Sequence, residues 1–149
     1  EQEPEIVDCL PGTVSVTARV GDADGNSIDG TPGFNPTELP HLWYTVTNNS
    51  SVDCNFNVGS AVTFFEITSG SELIWSSRDC DRSMDENKVG VLKAGETLAS
   101  PPMPWEKVRS CSTGCGPGQS DVITSGASYW IGVELNGVLS ESDQQFVLF

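Results

Sequence analysis

The sequence holds one histidine, His41, and only 7 Lys and Arg against 21 Asp and Glu, for a formal net charge of −14 over 149 residues. So few cations exclude a nucleic-acid binder, whose affinity comes from Lys and Arg neutralising phosphates, and exclude adhesion to an anionic membrane surface. No apolar run approaches the roughly 18 residues that cross a bilayer. No signal-peptide core opens the chain, so any membrane attachment is expected to come from an anchor outside this sequence. HExxH, GxSxG, the P-loop and CxxC are all missing. Their absence removes most familiar catalytic templates and leads us to expect a protein that is not an enzyme.

Helix formers are also scarce. Val, Ile, Thr, Phe, Tyr and Trp outnumber Ala, Leu, Met, Lys and Arg by nearly two to one, a balance that favours strands. Short apolar runs are separated by Gly, Pro and Ser, as turns between strands require. In TVSVTARV, Val14, Val16, Ala18 and Val20 alternate with polar residues; this period of two places one face in a core. HLWYTVTN puts Leu42, Tyr44 and Val46 on one face and Trp43 on the other. SYWIGVELNG likewise separates Tyr129, Ile131, Val133 and Leu135 from Trp130, Gly132 and Glu134. AVTFFEIT and ELIWSS form a hairpin about Ser69-Gly70, KVGVLKAGETLAS turns at Ala94-Gly95, and QQFVLF closes the chain. About seven to nine short strands with turns between them predict an all-β fold, an immunoglobulin-like antiparallel β-sandwich. Residues 1–12 are acidic and contain Pro, which predicts a linker, and residues 13–149 form a single domain.

Five cysteines, Cys9, Cys54, Cys80, Cys111 and Cys115, suit an oxidising compartment better than the cytosol. Their spacing lacks the two close pairs of a structural zinc site. Cys54 and Cys80 flank the same two predicted strands and are expected to pair. Cys9 is then expected to bond Cys111 or Cys115, leaving one thiol over.

Segments TVTNNSSVDCNFNVGS, FFEITSGSELIWSSRDC, VLKAGETL, PMPW and SGASYWIGVELNG follow in that order over roughly residues 41–149. In this order the chain resembles small extracytoplasmic immunoglobulin-like domains of actinobacterial envelope proteins and, more distantly, the BsuPI-type proteinase-inhibitor domain. The resemblance implies a secreted or membrane-anchored domain at the cell surface, with residues 1–12 as a juxtamembrane linker. No segment matches an inhibitory loop.

Four sets of residues are candidates for chemistry or binding. A base for nucleophilic catalysis would have to be His41, which starts a strand beside Pro40, where a solvated or hydrogen-bonding role is expected. Glu66 and Glu134 both lie in strands, as paired carboxylates of a glycosidase could, but a sandwich this small lacks the deep cleft such chemistry needs. Asp22, Asp24, Asn26 and Asp29 put oxygen ligands at alternating positions, as in a Ca2+ loop. Yet Ser27 stands where an EF-hand needs Gly, and Gly33 where it needs Glu, so an ordinary turn competes with Ca2+, the one cofactor suggested. Trp43, Trp130 and Glu134 fall on the faces opposite the core parity, and exposed aromatics there would meet sugars or protein partners. The competing reading has loops such as residues 101–105 covering them. Tyr129 is expected to anchor a sandwich corner through its hydroxyl, and the two Asn-x-Ser patterns at Asn48 and Asn49 are read as a turn. Together these point to a non-catalytic, extracytoplasmic module making protein or cell-wall contacts, with a protease inhibitor or a carbohydrate-binding module as alternatives.

Overall fold

The computed structural model describes residues 5–27 and 30–149. Among them are twelve strands, two single-turn 3-10 segments and no α-helix. The strands are β1 (Val14–Gly21), β2 (Gly33–Phe34), β3 (His41–Asn48), β4 (Cys54–Asn57), β5 (Thr63–Ser69), β6 (Glu72–Ser76), β7 (Val89–Leu92), β8 (Thr97–Ala99), β9 (Met103–Pro104), β10 (Ala127–Leu135), β11 (Val138–Leu139) and β12 (Gln144–Leu148). The fold is all-β.

β3 pairs with β1 along its whole length and with β8 and β9 on its other side. The larger sheet runs β2-β12-β10-β5-β6, with β11 also against β10, and a β4-β7 ribbon stands apart. Nearly all pairings are antiparallel. The exception among the strands, β2 beside β12, is parallel. The inner residues of β1, β3 and β10 follow the predicted parity, and Val16, Leu42, Val46, Ile131 and Leu135 are each at most 1% exposed. The segment 101–105 delivers Trp105 into this core, where its ring meets Tyr129 at 5.8 Å and Phe146 at 6.0 Å edge-on. A bulge in the β5–β6 hairpin between Ile67 and Thr68 lets both Ile74 and Trp75 turn inward.

Residues 6–9, read from sequence as linker, are stitched to β4 through a parallel bridge between Asp8 and Asn55. Asn55 N–H donates to Val7 O at 2.8 Å, Cys9 N–H donates to Asn55 O at 3.0 Å, and Asn55 Nδ2 donates to Ile6 O at 3.0 Å. This placement corrects the expected disulfides. Cys9 bonds Cys54, Cys80 bonds Cys115, and Cys111 is free. Cys54 and Cys80 flank the same two strands in sequence, but β4 pairs with β7 and not with the β5–β6 sheet. Cys115 reaches Cys80 because the 110–126 loop lies against β6. Ser110 N–H donates to Ile74 O at 3.1 Å and Trp75 Nε1 donates to Cys115 O at 2.8 Å. Two disulfides point to an oxidising environment. No helix among the described residues is long and apolar enough to cross a membrane.

Candidate functional site

The outward residues of the larger sheet form three rows, set by strand register. Gln145, Trp130, Thr68 and Leu73 make the first, and Gly132 and Glu66 the centre of the second. Leu139, Glu134 and Phe64 make the third. Trp130 is half-buried, Leu73 is 53% exposed and Glu66 is exposed. Gly132 breaks the rows. A methyl group added there would stand 2.6 Å from Asp143 Oδ1, so the missing side chain lets Asp143 lean over the sheet. The result is a trough of about 200 Å³ with Gly132 as its floor and Glu66, Glu134, Asp143, Arg78 and Phe64 in its walls.

Arg78 follows β6 in the 3-10 turn Ser77–Asp79, and Ser76 Oγ caps this turn by accepting from Arg78 N–H at 3.2 Å. Its guanidinium lies 3.7 Å from the Phe64 ring centre, 3.2 Å from Glu134 and 3.8 Å from Glu66. An arginine thus fills the space between the two carboxylates, where a glycosidase keeps its substrate oxygen. Arg82 also lies over Phe64, and donates to Ser60 O at 2.6 Å and Thr63 O at 3.2 Å. It pairs with Asp85 at 3.0 Å, which supplies the partner of an otherwise unbonded buried carboxylate oxygen. Arg82 is therefore a strut, whereas Arg78 is a half-exposed wall.

The other predicted residues do not join this site. Trp43 is only 4% exposed and cannot serve as a platform. Its parity is outward, but the turn after β1 folds back over it, with Asp22 N–H donating to Asn26 O at 3.2 Å. A side chain at Gly21 would meet Trp43 Cη2 at 2.8 Å and press on the Asn26 carbonyl, so only glycine permits the covering. His41 turns Nδ1 to Leu39 O at 3.0 Å, a local backbone contact. Asp22 Oδ1 accepts from the N–H groups of Asp24 at 2.9 Å and Asn26 at 3.0 Å, which is Asx-turn geometry. The Asn26 N–H is the main cause holding the Asp22 carboxyl below the usual value. Asp29 lies outside the described residues. Among the described residues no three His, Cys, Asp or Glu side chains gather as metal ligands.

Tyr129 donates to Ile123 O at 2.5 Å, six residues upstream, as a corner tyrosine does. Burial raises its hydroxyl above the ordinary range. Sequence reasoning placed Trp130, Gly132 and Glu134 on one face, but missed Arg78, Phe64 and Asp143. A lone glycine inside a strand was the available signal for the trough; the arrival of Arg78 and Asp143 depends on contacts distant in sequence. The chain matches no protein-family model, and no curated protein matches it.

Proposed function

We propose that this chain is a non-catalytic, extracytoplasmic immunoglobulin-like module of a bacterial cell-envelope protein that makes its contacts through the outer face of the β2-β12-β10-β5-β6 sheet. One observation carries the reading: that face presents Trp130 beside the trough at Gly132, where the Arg78 guanidinium occupies the space between Glu66 and Glu134. The single buried core shared by the two larger sheets, the corner hydrogen bond of Tyr129 and the two disulfides support the immunoglobulin-like and extracytoplasmic parts. A protease inhibitor draws less support. Such inhibitors offer an extended loop, whereas the most exposed apolar side chain here, Met84 at 85%, sits in a turn closed by Asp85 N–H donating to Arg82 O.

The test is binding of the fluorescently labelled chain to intact actinobacterial cells and to their isolated walls. Saturable binding that falls in the Trp130→Ala and Glu66→Gln variants supports the reading. Equal binding by wild type and both variants, or none by any, overturns it. Inhibition of a serine protease or metalloprotease at micromolar concentration would favour the inhibitor instead.

A further inference from the structure

Resting on that reading, we infer that the face carrying Trp130 and Gly132 is a glycan site: one pyranose ring stacks on Trp130 while its substituents enter the trough, and the glycan is neutral or amino-bearing rather than acidic. Three features separate this ligand from a protein surface. First, the core of a protein–protein interface is depleted in charged side chains, Asp and Glu especially, but here the trough holds Glu66, Glu134 and Asp143 beside Arg78. Burying those carboxylates against an apolar partner would strip them of water without replacement. A sugar replaces that water with hydroxyl and amino donors.

Second, the trough of about 200 Å³ is a volume for one ring or one substituent rather than for a large apolar anchor, and Trp130 stands in the neighbouring row of the same sheet face. Gly132 allows a ligand close to the backbone, and Trp130 follows at the spacing of one strand repeat on the same face. The indole N–H groups of Trp75 and Trp105 are bonded to backbone carbonyls. That of Trp130 has no protein partner among the described residues. Third, the wall charge is three carboxylates against one guanidinium, within a chain of formal charge −14. This sign repels uronic acids and phosphosugars and accepts neutral or cationic rings.

The experiment follows the 15N-labelled full chain by NMR while adding N-acetylglucosamine tetramer, glucosamine tetramer or galacturonate tetramer. Saturable shifts of the Trp130 indole and the Gly132 and Thr68 amides with either of the first two, but not with galacturonate, are expected. Trp130→Ala should weaken binding about tenfold. Glu66→Gln, at an exposed position, should weaken the glucosamine tetramer more than the N-acetylated one. Absence of saturable shifts with both non-acidic tetramers, shifts unaltered in the Trp130 and Glu66 variants, or equal binding of galacturonate overturns the inference. If cells are bound through this face while the tetramers are not, the glycan inference fails and the envelope reading stands. If the tetramers are bound and cells are not, the glycan inference stands and the envelope reading fails.

Discussion

Asn48 donates from Nδ2 to the carbonyl oxygen of Leu92 at 3.0 Å, with its side chain wholly out of water. The same amide donates to Val52 O at 2.9 Å, and its Oδ1 accepts from Ser50 N–H at 3.0 Å and Ser50 Oγ at 2.7 Å. One side chain at the end of β3 thereby fixes the turn into β4 and the end of β7. Asn48→Ala leaves the Leu92 carbonyl and the Ser50 N–H without their partner, while Ser50 Oγ and Val52 O keep each other, a loss of about 2–4 kcal/mol. For a chain of this size the melting temperature should fall by about 5–12 °C, and Asn48→Asp should do no better because it loses both donors. A thermal melt unchanged by Asn48→Ala would show the network to be dispensable.

Non-reduced peptide mapping should find Cys9 joined to Cys54 and Cys80 to Cys115, with Cys111 alone alkylated in the native protein. The bridges span 45 and 35 residues, so removing either should cost up to about 4 kcal/mol in urea unfolding, while Cys111→Ser costs almost nothing. The thiol of Cys111 is held below its usual range, chiefly by its hydrogen bond with Thr113. Its alkylation rate should therefore climb at lower pH than that of free cysteine. A peptide joining Cys54 to Cys80 would refute this arrangement.

Burial raises the hydroxyls of both Tyr44 and Tyr129 above their usual value of 10.0. The folded chain then holds protons that the unfolded chain has already lost. The stability each contributes is complete below pH 10 and falls as the pH rises through the folded-state values. Alkaline unfolding should begin above that point. Tyr129→Phe, which deletes the bond to Ile123, should lower stability at neutral pH by about 1 kcal/mol and weaken the alkaline dependence. A variant that keeps the full dependence would acquit Tyr129.

Gly21→Ala should uncover Trp43. The added methyl cannot coexist with the Asn26 carbonyl and the edge of the indole, so the 21–26 turn must lift. Acrylamide should quench tryptophan emission more strongly in this variant, and the increase should vanish when Trp43→Phe is added. Unchanged quenching would show that some other element covers the ring.

Strand parity was legible wherever one face meets the core and the other meets water, as in Tyr129, Ile131, Val133 and Leu135 of β10. The same rule misplaced Trp43, since alternation describes the strand and is silent on a turn that folds back over it. The cysteine pairs were misread for a related reason. Composition marks residues 1–12 as a linker, but three hydrogen bonds between Asn55 and residues 6–9 tie that segment to β4 and carry Cys9 to Cys54. Half of the candidate site was visible as Trp130, Gly132 and Glu134 on one face. The guanidinium of Arg78 arrives from 56 residues before Glu134, through a turn whose direction no local pattern encodes.

The two disulfides also decide how the molecule meets tension. Cys9–Cys54 encloses β1, β2 and β3, and Cys80–Cys115 encloses β7, β8 and β9. A pull between the two ends of the chain crosses each loop through a covalent bond, so those six strands lie outside the line of force. Of the strands, only those between Cys54 and Cys80 and after Cys115 can extend: β4, with β5, β6, β10, β11 and β12, which are five of the six strands of the sheet whose outer face carries the trough. Under load that face would come apart while the β1–β3 pairing remained closed.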